Sequence, residues 1–237
     1  MSDNYDSRTA HHYAAFRPPL HSLILSNAIS GRSDYSLGLD VGCGTGYSSL
    51  ALKNHCANVI GVEPSEAMLT LAKAQQPDGI RYLHGAGEAI PVEDNTIDIV
   101  TFAGSLFYAK SQQLVNEIKR VCLPNATVVA YDFDVVLDDA LNMLGVDLKS
   151  SSGDYDHAIN FSDYAEFAEH AVVAETIQLS VSAQELAHVL LSSTGRYDAL
   201  ANIFGDDDLH EKVARRIEQG YDAPSLPVNT YYSTYQL

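Results

Sequence analysis

No run of this 237-residue chain approaches the ~18 consecutive apolar residues that would cross a bilayer, so membrane insertion is not expected. The opening Met1-Ser2-Asp3-Asn4-Tyr5-Asp6 lacks the basic and then apolar blocks of a secretory signal. Cysteine is scarce. The three present, Cys43, Cys56 and Cys122, cannot all pair, and no two have the spacing of metal ligands. A reducing cytoplasm fits that usage, and no metal site is expected. Basic residues are few as well, 14 Lys and Arg against 31 Asp and Glu, which leaves a net charge of −17. Nucleic-acid binding depends on cation–phosphate attraction, so a DNA or RNA substrate is disfavoured. Lys and Arg do not cluster, and Arg215-Arg216 reads as part of a solvated helix.

What is present describes one globular α/β domain with a modest insertion; two equal domains would strain the usual size range. Short β-rich runs alternate with helical patterns through the first half, which predicts a parallel sheet covered by helices. Strands are expected over Leu37–Val41, Asn58–Val62, Ile80–His84, Ile97–Ala103 and Ala126–Phe133. Helices are expected over Tyr47–His55, from Pro64-Ser65 onward with Ser65 as N-cap, and over Gln112–Cys122. Leu123-Pro124-Asn125 stops the last of these, because proline cannot continue a helix and asparagine tolerates left-handed geometry.

After Phe133 the rhythm breaks. Asp134–His170 is acidic and irregular. Glu175–Val181 reads as a strand, Ser182 caps a helix over Ala183–Leu191, and helices follow over Arg196–Phe204 and Asp207–Gln219. Val228–Leu237 is a tyrosine-rich final strand. The chain therefore divides into an N-terminal arm (1–34), a core (35–135) and a substrate-side region (136–237) within a single domain.

Leu39-Asp40-Val41-Gly42-Cys43-Gly44-Thr45-Gly46 carries the most information. Its glycines let the backbone turn sharply and approach a ligand without a Cβ in the way. The loop follows a strand and opens a helix, so its amides face the crevice beside the strand ends. A dinucleotide loop would need glycine at the sixth position to seat a pyrophosphate, and that position is Tyr47. Asp40 would repel a pyrophosphate but suits an amino-acid ammonium. Both features count against a nicotinamide dinucleotide. Glu63 ends the second strand, where a carboxylate can accept from both hydroxyls of a ribose. Met68, one helical turn on, either covers a purine ring or packs in the core.

These residues resemble the class I S-adenosylmethionine (SAM)-dependent methyltransferases, in the group around the quinone-biosynthesis and trans-aconitate types. The glycine loop resembles that family's first motif and Gly61–Leu69 its second. Gly85–Pro91 and Ile97–Val100 resemble the third and fourth, and Tyr13–Pro18 resembles an arm that folds over SAM. The resemblance covers about residues 10–135. It implies a Rossmann-like, doubly wound, mostly parallel seven-stranded sheet with helices on both faces and a C-terminal helical insertion.

It also implies that SAM is the cofactor and S-adenosylhomocysteine the product. Asp40, Gly42, Cys43 and Gly44 would then lie on the methionine part. Glu63 would hold the ribose beside Pro64, with Met68 over the adenine. Gly87 and Glu88 would border the adenine, and Ala103, Gly104 and Ser105 would line the crevice. Tyr13 and Arg17 would face the methionine carboxylate. Two positions depart from the family pattern: Ala86 replaces a polar residue that meets the adenine amine, and Asn125-Ala126 replaces a glycine pair. The implied activity is methyl transfer to a small molecule; the alternative is a SAM-binding protein without transfer activity. Methyl transfer is dominated by alignment, so no dedicated catalytic motif is required. Tyr108 and Asp132, just past strand ends, are the candidate bases. His11, His12 and His157 lie in segments that could form a lid, and several tyrosines either line an acceptor pocket or belong to β-structure. The acceptor and the oligomeric state are not legible.

Overall fold

The computed structural model describes residues 9, 11–12, 15–148 and 154–237. The chain forms two compact units, and several segments of each are separated in sequence.

The larger unit comprises Pro19–Phe133, Asp154–Glu175 and Thr230–Leu237. It opens with helix α1 (Leu20–Ala28) and then alternates: β1 (Tyr35–Val41), α2 (Tyr47–Lys53), β2 (Cys56–Glu63), α3 (Glu66–Ala74), β3 (Ile80–His84) and β4 (Ile97–Ala103). A short α4 (Leu106–Ala109), α5 (Gln112–Val121) and β5 (Cys122–Val135) follow. With β6 (Ala168–Ser180) and β7 (Ser225–Gln236) the strands form one seven-stranded sheet in the order β3-β2-β1-β4-β5-β7-β6. β1 through β5 pair in parallel. β7 returns antiparallel to β5, with Asn125 N donating to Leu237 O and Leu237 N to Ala126 O.

Parallel strands covered on both faces must be apolar throughout. Leu39, Val100, Phe102 and Val128 are accordingly fully buried, and α5 adds Leu114 and Ile118. Asp98 ties β4 to the start of β1 by accepting from Ser36 N (2.7 Å) and Leu37 N (3.0 Å). The turn expected at Leu123-Pro124-Asn125 takes the form of an irregularity inside β5. Asn125 has φ +65°, and the β4–β5 register jumps between Ile97↔Cys122 and Ile99↔Thr127.

The smaller unit comprises the residues up to Pro18, Asp134–Gly153 and Thr176–Asn229. It contains α6 (Asp138–Met143), α7 (Ala183–Leu191), α8 (Thr194–Phe204) and α9 (Leu209–Gly220). Ser182 and Glu185 form a capping box on α7. α7 packs on α9, burying Leu186 and Leu190 with Val213 and Ile217. His12 is buried here, its Nδ1 2.9 Å from that of His188, and His210 stacks on His188 at 3.9 Å. Burial and then the neighbouring His188 push the His12 ring down to about 4.

The helical insertion falls between β6 and β7, as the sequence implies. β6, however, begins at Ala168 rather than Glu175. Its first residues carry no apolar alternation because they are largely exposed, and pairing with β7 holds them in the sheet.

Candidate functional site

The C-terminal ends of β1, β2 and β4 surround a cavity of about 380 Å³ in the larger unit. Val41 and Gly42 line it from β1, Glu63 and Pro64 from β2, and Ala103, Gly104 and Ser105 from β4. Gly85–Glu88 form a further wall. Such crevices at strand ends are where open α/β sheets bind ligands.

Local geometry explains the glycines. Gly42 has φ +72°, and a Cβ there would stand 2.5 Å from Ser105 Cβ. Gly42 N and Cys43 N both donate to Val62 O, at 2.8 and 3.1 Å, which folds the loop onto β2. Gly46, φ +93°, is the N-cap of α2, and a Cβ on it would collide with the Tyr82 hydroxyl. That hydroxyl, pushed up to about 12 by burial and the nearby Cys43, keeps its proton.

Glu63 is 8% exposed and receives a backbone amide on each oxygen. Gly44 N donates to Oε2 at 2.9 Å and Ser65 N to Oε1 at 2.8 Å. Each oxygen of an ionised carboxylate has a second acceptor site. Glu63 is therefore fixed in place and still able to accept two further hydrogen bonds on the cavity side. Among the described residues, no lysine or arginine lines this cavity.

Asp40 has a different place from the one its position beside the loop suggested. It is fully buried and does not reach the cavity. Its Oδ2 accepts from Ser48 and Ser49 Oγ, both at 2.6 Å, and Oδ1 from Thr101 Oγ1 at 3.3 Å. Burial raises its pKa above the ordinary carboxylate range, against the pull of those hydroxyls. Asp40 holds the loop to α2 and β4. Cys43 is buried too, its Sγ packed toward Gly61, and the low-dielectric surroundings with Asp40 and Glu63 push the thiol up.

The wall at Gly85–Glu88 belongs to a loop pinned by α5. Glu117 accepts from Ile90 N at 2.8 Å, and Arg120 donates to Ile90 O and Val92 O, both at 2.8 Å. Arg120 is in turn paired with Glu117 and Asp94, both at 2.6 Å. The Glu117–Arg120 spacing on one helix face was the available signal for this clamp.

An aromatic and acidic cluster lies past β4 and along the end of β5. Asp132 stands inside that strand, which runs to Val135, rather than just past its end as the sequence suggested. Tyr108 lines the cavity and is 78% exposed. Asp132 Oδ1 accepts from Phe133 N at 2.8 Å. Its Oδ2 lies 2.9 Å from both the Tyr155 hydroxyl and His157 Nδ1. The Tyr155 hydroxyl also reaches Gly104 O at 2.7 Å, so it bridges the cavity wall and Asp132. Burial and the Asp132 charge raise the Tyr155 phenol, which stays protonated as a donor.

Of the residues singled out in the sequence, Gly42, Glu63, Pro64, Gly87, Glu88, Ala103, Gly104, Ser105 and Tyr108 come together around the cavity. Gly44 contributes through its amide on Glu63. Met68 is 45% exposed on α3 and outside the lining. Arg17 belongs to the smaller unit, and Tyr13 lies outside the described residues. The link of Tyr155 and His157 to Asp132 was not legible, because it spans an irregular segment of more than twenty residues.

Comparison with known proteins agrees with this geometry. Residues 39–130 match the family described as Methyltransferase domain. The uncharacterized methyltransferase YcgJ of Bacillus subtilis is 29% identical over 115 residues, 45% of this chain and 46% of that protein. The ubiquinone/menaquinone biosynthesis C-methyltransferase UbiE of Campylobacter jejuni is 26% identical over 102 residues, 40% of this chain and 43% of UbiE. The chain thus matches about half the length of these curated relatives. Among solved structures, a provisionally named type II methyltransferase from Anaeromyxobacter dehalogenans has the same fold, with a TM-score of 0.61 at 19% identity. That alignment covers 93% of this chain and 97% of the other.

Proposed function

We propose that this chain is a class I SAM-dependent methyltransferase and transfers a methyl group from SAM to a small-molecule acceptor. The observation that carries the reading is Glu63, held by two backbone amides with acceptor capacity left over. A carboxylate placed so at the end of β2 suits the paired hydroxyls of a ribose.

The rest of the cavity fits the same cofactor. A phosphate-bearing ligand would want cations, and the lining described above supplies none. SAM carries no phosphate, and when bound it supplies an electrophilic methyl group on a sulfonium. Gly42, Cys43 and Gly44 would lie along its methionine part, and Gly87 with Glu88 along its adenine. With Ala86 unable to bond the adenine amine, backbone groups of that loop take over recognition. Ala103, Gly104 and Ser105 line the side from which an acceptor approaches. What the protein contributes is alignment and the exclusion of water, which in well-positioned systems can lower a barrier by up to ~7–11 kcal/mol.

In this reading 35–135 forms the cofactor core, 1–34 acts as an arm with Tyr13 and Arg17 toward the methionine carboxylate, and 136–237 shapes acceptor choice. A net charge of −17 supports a small molecule rather than a nucleic acid as acceptor. No described helix is long and apolar enough to cross a membrane. Three buried, unpaired cysteines support a reducing, cytoplasmic setting.

Isothermal titration of SAM-free protein tests the assignment directly. Binding of SAM or S-adenosylhomocysteine is expected; silence at ~1 mM, about −4 kcal/mol, would end it. Acceptor-dependent transfer of label from SAM would exclude an inert binding module.

A further inference from the structure

The proton chemistry of the acceptor can be read from the cluster beside Gly104. A carboxylate can only accept, so the 2.9 Å contact between Asp132 Oδ2 and His157 Nδ1 places the imidazole proton on Nδ1. In the neutral ring Nε2 then keeps its lone pair. An imidazole oriented in this way by a buried-side carboxylate is the arrangement of a general base. Asp132 is itself fixed by Phe133 N and the Tyr155 hydroxyl, and it abuts the cofactor cavity: a Cβ on Gly104 would lie 3.2 Å from its Oδ1. His157 keeps 32% of its side chain exposed, enough to hand a proton to water, whereas Asp132 keeps 17%.

The surroundings narrow the acceptor. The His157 ring borders a second cavity of about 70 Å³ and stacks on Tyr231 at 5.8 Å with planes 16° apart. Tyr155 stands edge-on to it at 4.7 Å and leans on Phe107 at 4.6 Å. Flat aromatic walls favour a planar partner. Among the described residues, no lysine or arginine lines either cavity, so an anionic acceptor such as a carboxylate finds no counter-charge there. A neutral acceptor that attacks through oxygen must lose its proton as it does so.

We propose that His157 is the catalytic base and Asp132 its positioning residue, and that the acceptor is a planar neutral compound with a weakly acidic hydroxyl, a phenol or enol. The acceptor O–H bond breaks with its proton passing to His157 Nε2. The oxygen forms the new bond to the methyl carbon, and the carbon–sulfur pair stays on sulfur, giving S-adenosylhomocysteine. The imidazolium then releases its proton to solvent. The groups facing this ring are Asp132, Tyr155 and Tyr231, with no cation among them.

The inference rests on the methyltransferase reading, and the test separates the two. Wild type, H157Q and D132N are each titrated with S-adenosylhomocysteine. Failure of the wild type to bind overturns the methyltransferase reading, whereas equal binding in all three shows an intact donor half. Ring-nitrogen NMR of His157 then reports the tautomer: Nδ1–H with a bare Nε2, altered in D132N, supports the proposal. An Nε2–H ring, or one indifferent to D132N, overturns it. Label transfer is screened over phenols and enolisable diketones against primary amines and thioethers. Where a phenol or enol is methylated, H157Q is expected to lower kcat by about 10²–10⁴-fold with KM little changed. D132N should lower kcat for the same acceptor as well, since the ring is no longer held with Nδ1–H toward a carboxylate. Methylation confined to amines or thioethers, or an H157Q rate within threefold of wild type, refutes the assignment. A panel without any product leaves the decision to the tautomer.

Discussion

Replacing Glu63 by glutamine tests the ribose contact with the least change of shape. Both carboxylate oxygens already hold amides, from Gly44 at 2.9 Å and Ser65 at 2.8 Å. Glutamine must turn its NH2 toward one of these N–H groups, donor against donor, at a residue only 8% exposed. An unmade bond of this kind costs about 1–3 kcal/mol. Because it burdens free and bound protein alike, it should appear as a Tm lower by roughly 2–12 °C, at 2–4 °C per kcal/mol for a chain of this size. The affinity loss is separate. A charged acceptor for a ribose hydroxyl contributes about 1.5–3 kcal/mol, so Kd for S-adenosylhomocysteine should rise by roughly 10- to 100-fold. Isothermal titration measures it, with Glu66→Gln as a control. Glu66 is a 75% exposed acid beside His84, and its loss should leave Kd within twofold. If Glu63→Gln binds within threefold of wild type, the carboxylate does not grip the sugar and the placement of the cofactor is wrong.

Gly42→Ala should cost more stability than any of these, since it combines left-handed strain with a 2.5 Å approach to Ser105 Cβ. About 1–2 kcal/mol of backbone strain and about 1–3 of overpacking give a Tm drop of roughly 4–20 °C by calorimetry; an unchanged Tm would refute the loop geometry. Asp40→Asn addresses a carboxyl whose pKa is raised in the fold. The folded chain then holds that proton where the unfolded chain has lost it, so stability falls as pH rises above about 3.9 toward the folded value. The asparagine variant should therefore gain on wild type as pH goes from 4 to 7 in urea titrations, and a constant difference would contradict the shift. The cysteines should resist alkylation by iodoacetamide at pH 8 until the chain is unfolded. All three are buried, and Cys56 and Cys122 are pushed up to about 12. Labelling of native protein by mass spectrometry would count against that packing.

The cofactor half was legible because its constraints are local. Gly42 and Gly46 need positive φ, and Glu63 must end β2, so eight residues and one acid reveal the crevice. β1 to β5 were readable for a similar reason: strands buried on both faces show as apolar runs. β6 was clipped by seven residues because Ala168–Ala174 lies on an exposed edge, where pairing rather than apolar pattern fixes the strand. Asp40 shows the limit of reasoning from position. Its nearness to the glycines pointed to a ligand, but strand alternation turns it into the sheet, where Ser48, Ser49 and Thr101 meet it. No motif spacing joins Asp132 to Tyr155 and His157; only the return of the chain after the irregular segment does so.

The two acids flanking the glycine loop thus divide the work by burial. Asp40 spends its acceptor capacity on three hydroxyls and shapes the loop, while Glu63 accepts from the loop at Gly44 and from Ser65 beyond β2 and turns the rest of its capacity to the cavity. Only Glu63 and Glu88 then present negative charge to the cavity, with no described cation to offset it. If the proposed cofactor is SAM, it carries one more positive charge than its product, so this lining would favour the donor over S-adenosylhomocysteine. An attraction of this kind at 4 Å runs from about 1 kcal/mol in bulk water to about 4 near a protein surface, enough to help release product but smaller than the contribution of alignment. Charge in this cavity selects which ligand enters and leaves. On the proposed reading, the rate then depends on how closely the acceptor is held in line with the methyl group.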